Sequence, residues 1–245
     1  LSSLRLEGRG DTNGVSAILG AVIAPRLVDF YFTWDQPWAP PGLNVVSPLS
    51  TGLLGIHELQ PRYQISVVNG RFVLSKVVVE PKTQWHPTVV ASLSPTARIG
   101  GMALKLLQSF EKAAPRGATV DVALHDYRSA DAILTYLTST VEGTDGKQDH
   151  PIPQIQSIRL DTSGEVEFQG ASPNLLAGLA RTRRNIPRIT LRKITGRTPQ
   201  DWHVRVYQWD PVASKFEFQY EGKLEEMIAL EEGAFGKGAH SPLNY

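Results

Sequence analysis

Two apolar, β-branched runs, Gln64-Ile65-Ser66-Val67-Val68 and Phe72-Val73-Leu74-Ser75-Lys76-Val77-Val78-Val79, flank the dipeptide Asn69-Gly70. Asn-Gly supplies the positive φ angles of a type I′ turn, whose twist matches that of paired strands. The segment therefore predicts a β-hairpin, and with it a sheet that the rest of the chain must cover. Further strands are expected at Leu27 to Trp34, Thr88 to Leu93, Thr119 to Leu124, Ile189 to Ile194, His203 to Trp209 and Lys215 to Tyr220. A second hairpin is expected from Ile155 to Leu160 and Glu165 to Phe168 across the turn Asp161-Thr162-Ser163-Gly164.

Helical spacing interrupts this pattern. Met102, Leu104, Leu106, Leu107 and Phe110 crowd one side of a segment that Pro115 and Gly117 end. Ser129 and Asp131 open a second helix carrying Ile133, Leu134, Tyr136, Leu137 and Val141, and Ser172-Pro173 starts a short third one. Residues 1–60, rich in Gly, Pro and Ser, read as loops around a body with one strand. The sum is an α+β chain, mainly antiparallel β, built of hairpins in a sandwich or barrel-like form with two or three inserted helices. One globular β-rich domain over residues 1–245 is expected, with a subdivision near 142–153 as the alternative. No repeat of 20 to 50 residues suggests a solenoid or propeller.

Charge and composition narrow the function classes. With 25 basic and 24 acidic residues the formal charge is +1, so any case for nucleic acid must be local. The absence of cysteine removes disulfides, thiolate metal sites and cysteine nucleophiles. The longest apolar stretch, Val15 to Ala24, contains Gly20 and meets Pro25, too short for a membrane span of about 20 residues. The first residue, Leu1, with no leader before an apolar run, suggests a piece of a longer chain.

No catalytic pattern stands out. The six histidines, at 57, 86, 125, 150, 203 and 240, form no HxxxH or HxH pair, so neither a metal nor a cofactor is expected. His57, His125 and Asp126 are the residues that a hydrolase-type enzyme on an α+β scaffold would have to gather; for His125-Asp126 the plainer role is capping a turn. GxSxG, GxGxxG and the P-loop pattern are absent.

Binding features are more numerous. Arg9-Gly10-Asp11 lies in a loop-like stretch and matches the tripeptide that integrins read. The polar connection Glu142 to Pro153 offers Asp145, Lys147, Asp149 and His150 to a ligand and is expected to face outward. Arg181, Arg183, Arg184, Arg188, Arg192, Lys193 and Arg197 fall within seventeen residues with no acid among them. Arg183, Arg184 and Arg188 in that stripe could hold phosphate, RNA or a sulfated glycan, or simply be solvated. The run lacks the interleaved aromatics of single-strand binders. Trp34, Trp38, Trp85, Trp202 and Trp209 sit in or near turns, as loop anchors or contact residues.

The order Pro199-Gln200-Asp201-Trp202, Val204-Arg205-Val206-Tyr207, Asp210-Pro211, Lys215-Phe216-Glu217-Phe218 resembles the last part of calicivirus capsid protruding domains, over about 25 residues. The spacing after Trp202 is shorter than in that family, and no counterpart of the family's entry into the protruding domain is present. The resemblance implies a non-enzymatic, surface-exposed binding and assembly domain on a virion surface. Dimer or capsid contacts, and a host receptor or glycan as partner, follow from it. The two central helices would be additions to that plan.

Overall fold

The computed structural model describes residues 3–8, 29–34, 61–68, 71–78, 84–93, 103–104, 106–108, 110–111, 114, 117–125, 127–142, 148–152, 154–163, 171–196, 201–227 and 229. Ten strands within them form one sheet. They are β1 (Ser3–Gly8), β2 (Asp29–Trp34), β3 (Arg62–Val68), β4 (Arg71–Val78), β5 (Gln84–Leu93), β6 (Thr119–Leu124), β9 (Ile155–Ser163), β10 (Arg188–Thr195), β11 (His203–Asp210) and β12 (Lys215–Lys223). Strands β7 (Val141–Glu142) and β8 (Gln148–Asp149) pair separately, and α1 (Tyr127–Thr138) and α2 (Ala171–Thr182) are helices. Positions 103–104, 106–108 and 110–111 are also helical.

The sheet runs in the order β1-β2-β5-β4-β3-β6-β9-β10-β11-β12. The chain is α+β and β-rich, as its pattern predicts. The Asn69-Gly70 hairpin is β3–β4, with Val68 opposite Arg71. Antiparallel pairs β4–β5, β10–β11 and β11–β12 join it, but β1–β2, β2–β5, β3–β6, β6–β9 and β9–β10 are parallel, so the sheet is mixed. The ten described strands of this sheet pair in one linear order with β1 and β12 at its ends.

The parallel ladders β6–β9 and β9–β10 follow from the helices. A parallel return needs a crossover of a dozen residues or more, and α1 joins β6 to β9 as α2 joins β9 to β10. One correction concerns Asp161, Thr162 and Ser163. They continue strand β9 beside β10, with Asp161 opposite Arg192, so no turn begins at Asp161. Residues 165–168 lie outside the described residues.

Register assigns the two faces of the sheet. One carries Tyr63, Ile65 and Val67 of β3, Val120, Val122 and Leu124 of β6, Ile158 and Leu160 of β9, and Ile189 and Leu191 of β10. These side chains are buried in one core with Leu106, Leu107 and Phe110, with Ile133, Leu134 and Leu137 of α1, and with Leu176 and Leu179 of α2. The Phe110 ring meets Tyr63 edge-on at 5.4 Å. Burial of each such side chain contributes about 1.5–3 kcal/mol before entropy is counted.

The opposite face is polar and nevertheless buried across β3, β6, β9 and β10, where Gln64, Asp121, Arg159, Asp161 and Arg192 lie. A buried polar group costs free energy unless it is paired. Asp121 meets that condition by accepting from Arg62 Nε at 3.0 Å and from the Ser157 hydroxyl.

Candidate functional site

Parallel pairing puts the ends of β6, β9 and β10 side by side. Leu124 pairs with Leu160 and Leu160 with Leu191, so His125, Asp161 and Arg192 follow in one row on the polar face. The main chain of His125 is held by its N–H, which donates to Val67 O at 2.8 Å. The carboxyl end of parallel strands is where open sheets of this kind often take ligands, so the row is a place to look for chemistry.

Its geometry is that of an ionic clasp. His125 Nδ1 lies 2.7 Å from Asp161 Oδ2, with the two side chains 6% and 5% exposed. Arg159 Nε lies 3.2 Å from Asp161 Oδ1, and Arg159 Nη2 lies 3.3 Å from His125 Nε2. The carboxylate assigns the proton to Nδ1, which donates to Asp161, and leaves Nε2 to accept from Arg159. Burial lowers the His125 pKa; Asp161 opposes that shift, and Arg159 and Arg192 add to it. Burial acts to raise the Asp161 pKa, but Arg159, His125 and Arg192 outweigh it and hold the carboxyl ionised well below its ordinary range.

Such an arrangement is a neutral imidazole between an anion and a cation. A general base needs a nitrogen within reach of a substrate proton, and here both ring nitrogens already have partners. Of the other two residues a hydrolase would have to gather, His57 and Asp126 lie outside the described residues. No group of three metal-ligating side chains occurs among the described residues.

The basic stripe divides. Arg183, expected on a ligand-facing surface, is 1% exposed and donates through Nη1 to Pro151 O at 2.8 Å and through Nη2 to Ile152 O at 2.9 Å. It is a buried tie between the end of α2 and the bend that leads into β9. Arg192 is buried in the clasp row, whereas Arg181, Arg184 and Arg188 are exposed. The loop expected to face outward is anchored at its far end, because Pro151 and Ile152 are buried and Ile152 N donates to Glu111 Oε1 at 3.1 Å. His150 is partly exposed, with Nδ1 3.1 Å from Ser139 O, and Asp149 ends β8. Arg9, Gly10, Asp11, Asp145 and Lys147 lie outside the described residues.

A second surface was not assembled from sequence. On β11, Arg205, Tyr207 and Trp209 share the helix-side face of the sheet, and on β12 Phe216 and Phe218 lie opposite Trp209 and Tyr207. Tyr207 and Phe218 meet edge to face at 5.9 Å, as do Trp209 and Phe216 at 5.2 Å. Arg181, in the last turn of α2, sits 5.7 Å from the Trp209 ring centre, within cation–π reach. Tyr207, Trp209 and Phe216 are half-buried against the core, while Phe218 is 56% exposed.

The connecting turn is built by Asp210, whose Oδ1 accepts from Val212 N at 2.7 Å and Ala213 N at 3.2 Å, with Ser214 at a φ of 52° closing it. Val212 stands at the tip, 93% exposed. The other face of the hairpin is closed by Leu224 and Met227, packed with Val204, Ile194, Trp202, Val206 and Tyr220. The aromatic face is thus backed by a small apolar cluster of its own. The signal that could have found it is parity: positions 205, 207 and 209 share a face of any strand, and 216 and 218 share one too.

Among the described residues no helix is long and apolar enough to cross a membrane. Comparison of the chain with protein-family models, with curated proteins and with solved structures finds no match.

Proposed function

We propose that this chain is a non-enzymatic binding and assembly module whose working surface is the β11–β12 hairpin. The observation that carries the reading is the exposure of Phe218 and Val212 on a hairpin stiffened by an Asp210 turn and backed by its own small apolar cluster. An apolar ring held outward beside another ring, as Phe218 is beside Tyr207, offers a contact point. The coat-surface setting belongs to the same proposal, since the resemblance that implies it is carried by this hairpin. Copies of the chain and a host molecule are the partners it names. The engaged nitrogens of His125 favour this reading over a hydrolase.

A photo-crosslinking amino acid at position 218, introduced into the full chain in the cells or particles that produce it, tests the proposal. Position 135 on α1, exposed and without an aromatic neighbour on the hairpin, serves as control. The expected result is an adduct of defined mass at 218 and none at 135. Equal or absent capture at the two positions overturns the assignment of the surface.

A further inference from the structure

Resting on that reading, we infer that the aromatic face of β11–β12 is a stacking platform for single-stranded nucleic acid, with Arg181, Lys193 and Arg205 as its phosphate contacts. Single-strand binders combine ring faces, on which any base can stack, with cations that follow the backbone. The basic stretch 181–197 supplies cations but no aromatic side chain, and on its own fits a bare anion site. Folding brings the missing rings to it from two later strands.

Three rows run across the sheet. Lys193 of β10 lies beside Arg205, and Arg205 beside Glu221. In the next row Leu191 lies beside Tyr207, and Tyr207 beside Phe218; in the last, Trp209 lies beside Phe216, with Arg181 over the indole. Rings two residues apart on one strand are about 7 Å apart, and those on neighbouring strands about 5 Å, so the platform has room for more than one base. Charge is sorted between the two sides of the hairpin. Asp210 and Glu217 belong to the side away from the rings, and the one acid in the three rows, Glu221, is 3.0 Å from Arg205.

A register slip between Val206 and Tyr207 makes Gln219 the extra residue of β12, directly after Phe218. Such a bulge strengthens local twist and turns a strand edge away from further pairing. Strand addition at this edge is therefore the poorer use of the hairpin, and contact through its ring-bearing face the better one. Among ligands, a nucleotide strand uses both features together: bases on Phe218 and the open part of Tyr207, phosphates at Arg181, which lies over the Trp209 ring, and at its neighbours.

The test is fluorescence anisotropy of the full chain with labelled 12-nucleotide oligo-U and oligo-dT, against a duplex of the same length and against heparin. Single strands are expected to bind at least tenfold more tightly than the duplex. Phe218→Leu keeps apolar cover and removes the ring, and should weaken single-strand binding about tenfold with an unchanged salt slope. Phe218→Tyr should restore it, and Arg181→Ala with Lys193→Ala should lower the affinity and flatten the slope.

Thermal unfolding of each variant guards against misfolding, and Phe218, being more than half exposed, has little stability to lose. Equal binding of duplex or heparin, or indifference to Phe218→Leu, overturns the inference. A protein adduct at position 218 with no oligonucleotide binding removes the nucleic acid and leaves the module reading intact. Absence of both removes the two together.

Discussion

His125 is held neutral chiefly by burial, with Arg159 and Arg192 adding to it against the pull of Asp161, and that gives the fold a pH dependence of known sign. In the unfolded chain its imidazole titrates near the ordinary 6.5, whereas in the fold protonation is disfavoured by burial and by Arg159 and Arg192. A proton on Nε2 would also face the Arg159 guanidinium in place of accepting from it. The unfolded state therefore binds more protons as pH falls below 6.5, and stability present above that value is lost at up to about 1.4 kcal/mol per unit. Asp161 acts in a lower window: its folded pKa is depressed, so its contribution is present above 3.8 and is lost as pH falls below that value. His125→Asn retains a donor for Asp161 and removes the titrating ring. Urea unfolding at pH 7.5, 6.0 and 5.0 should show the wild type losing stability relative to this variant below 6.5; parallel curves would mean that His125 is not held as described. Little of this was legible in the sequence, because Asp161 lies 36 residues from His125 and reads as a turn former. Only the parallel pairing of β6 with β9 brings the two together.

At the scale of elements, many strand boundaries were legible and the pairings were not; β1 falls where loops were expected, and α1 ends at Thr138, so that Val141, expected in that helix, lies in β7. Strand β6 spans the predicted Thr119 to Leu124, and β10, β11 and β12 extend the predicted strands by one to three residues. Local alternation and turn chemistry determine such segments. Which strands lie side by side, and in which direction, depends on how helices α1 and α2 return the chain, and short-range patterns do not encode that. Arg183 suffers from the same blindness. Within a basic run it reads as a surface cation, yet it fills the space at the end of α2 and satisfies two carbonyls that no strand partner reaches. Arg183→Ala should leave Pro151 O and Ile152 O buried without donors and cost about 2–4 kcal/mol in urea unfolding. Arg183→Lys should recover little, since an ammonium cannot span both carbonyls with a planar fork. A loss below about 1 kcal/mol for both variants would show that the tie contributes little. Arg184→Ala, one residue on and exposed, is the natural comparison.

Across the whole molecule, burial is steeply graded from the centre of the sheet to the β12 end. Strands β3 and β6 are buried along nearly all their length, and β9 joins them under the helices, whereas in β12 no residue is fully buried. Amides in strands that contribute to the main core exchange only when the molecule opens widely, and amides in sparsely covered elements exchange through local opening. Hydrogen exchange of the native protein should therefore be slowest at Ile65, Val122 and Ile158, near the rate set by global unfolding. It should be faster by two orders of magnitude or more along Phe216 to Glu221. The small cluster of Val204, Leu224 and Met227 should hold the inner strand β11 at an intermediate rate. Ligand on the aromatic face would slow β11 and β12 selectively and leave β3, β6 and β9 unchanged, because their opening does not involve the hairpin. Uniform exchange over all ten strands would mean that the sheet opens as one unit, with no separately adjustable edge. Binding surfaces are commonly drawn from the less stable end of a fold, and here that end carries the exposed rings; the exchange gradient and the ligand's footprint on it can be read in one experiment.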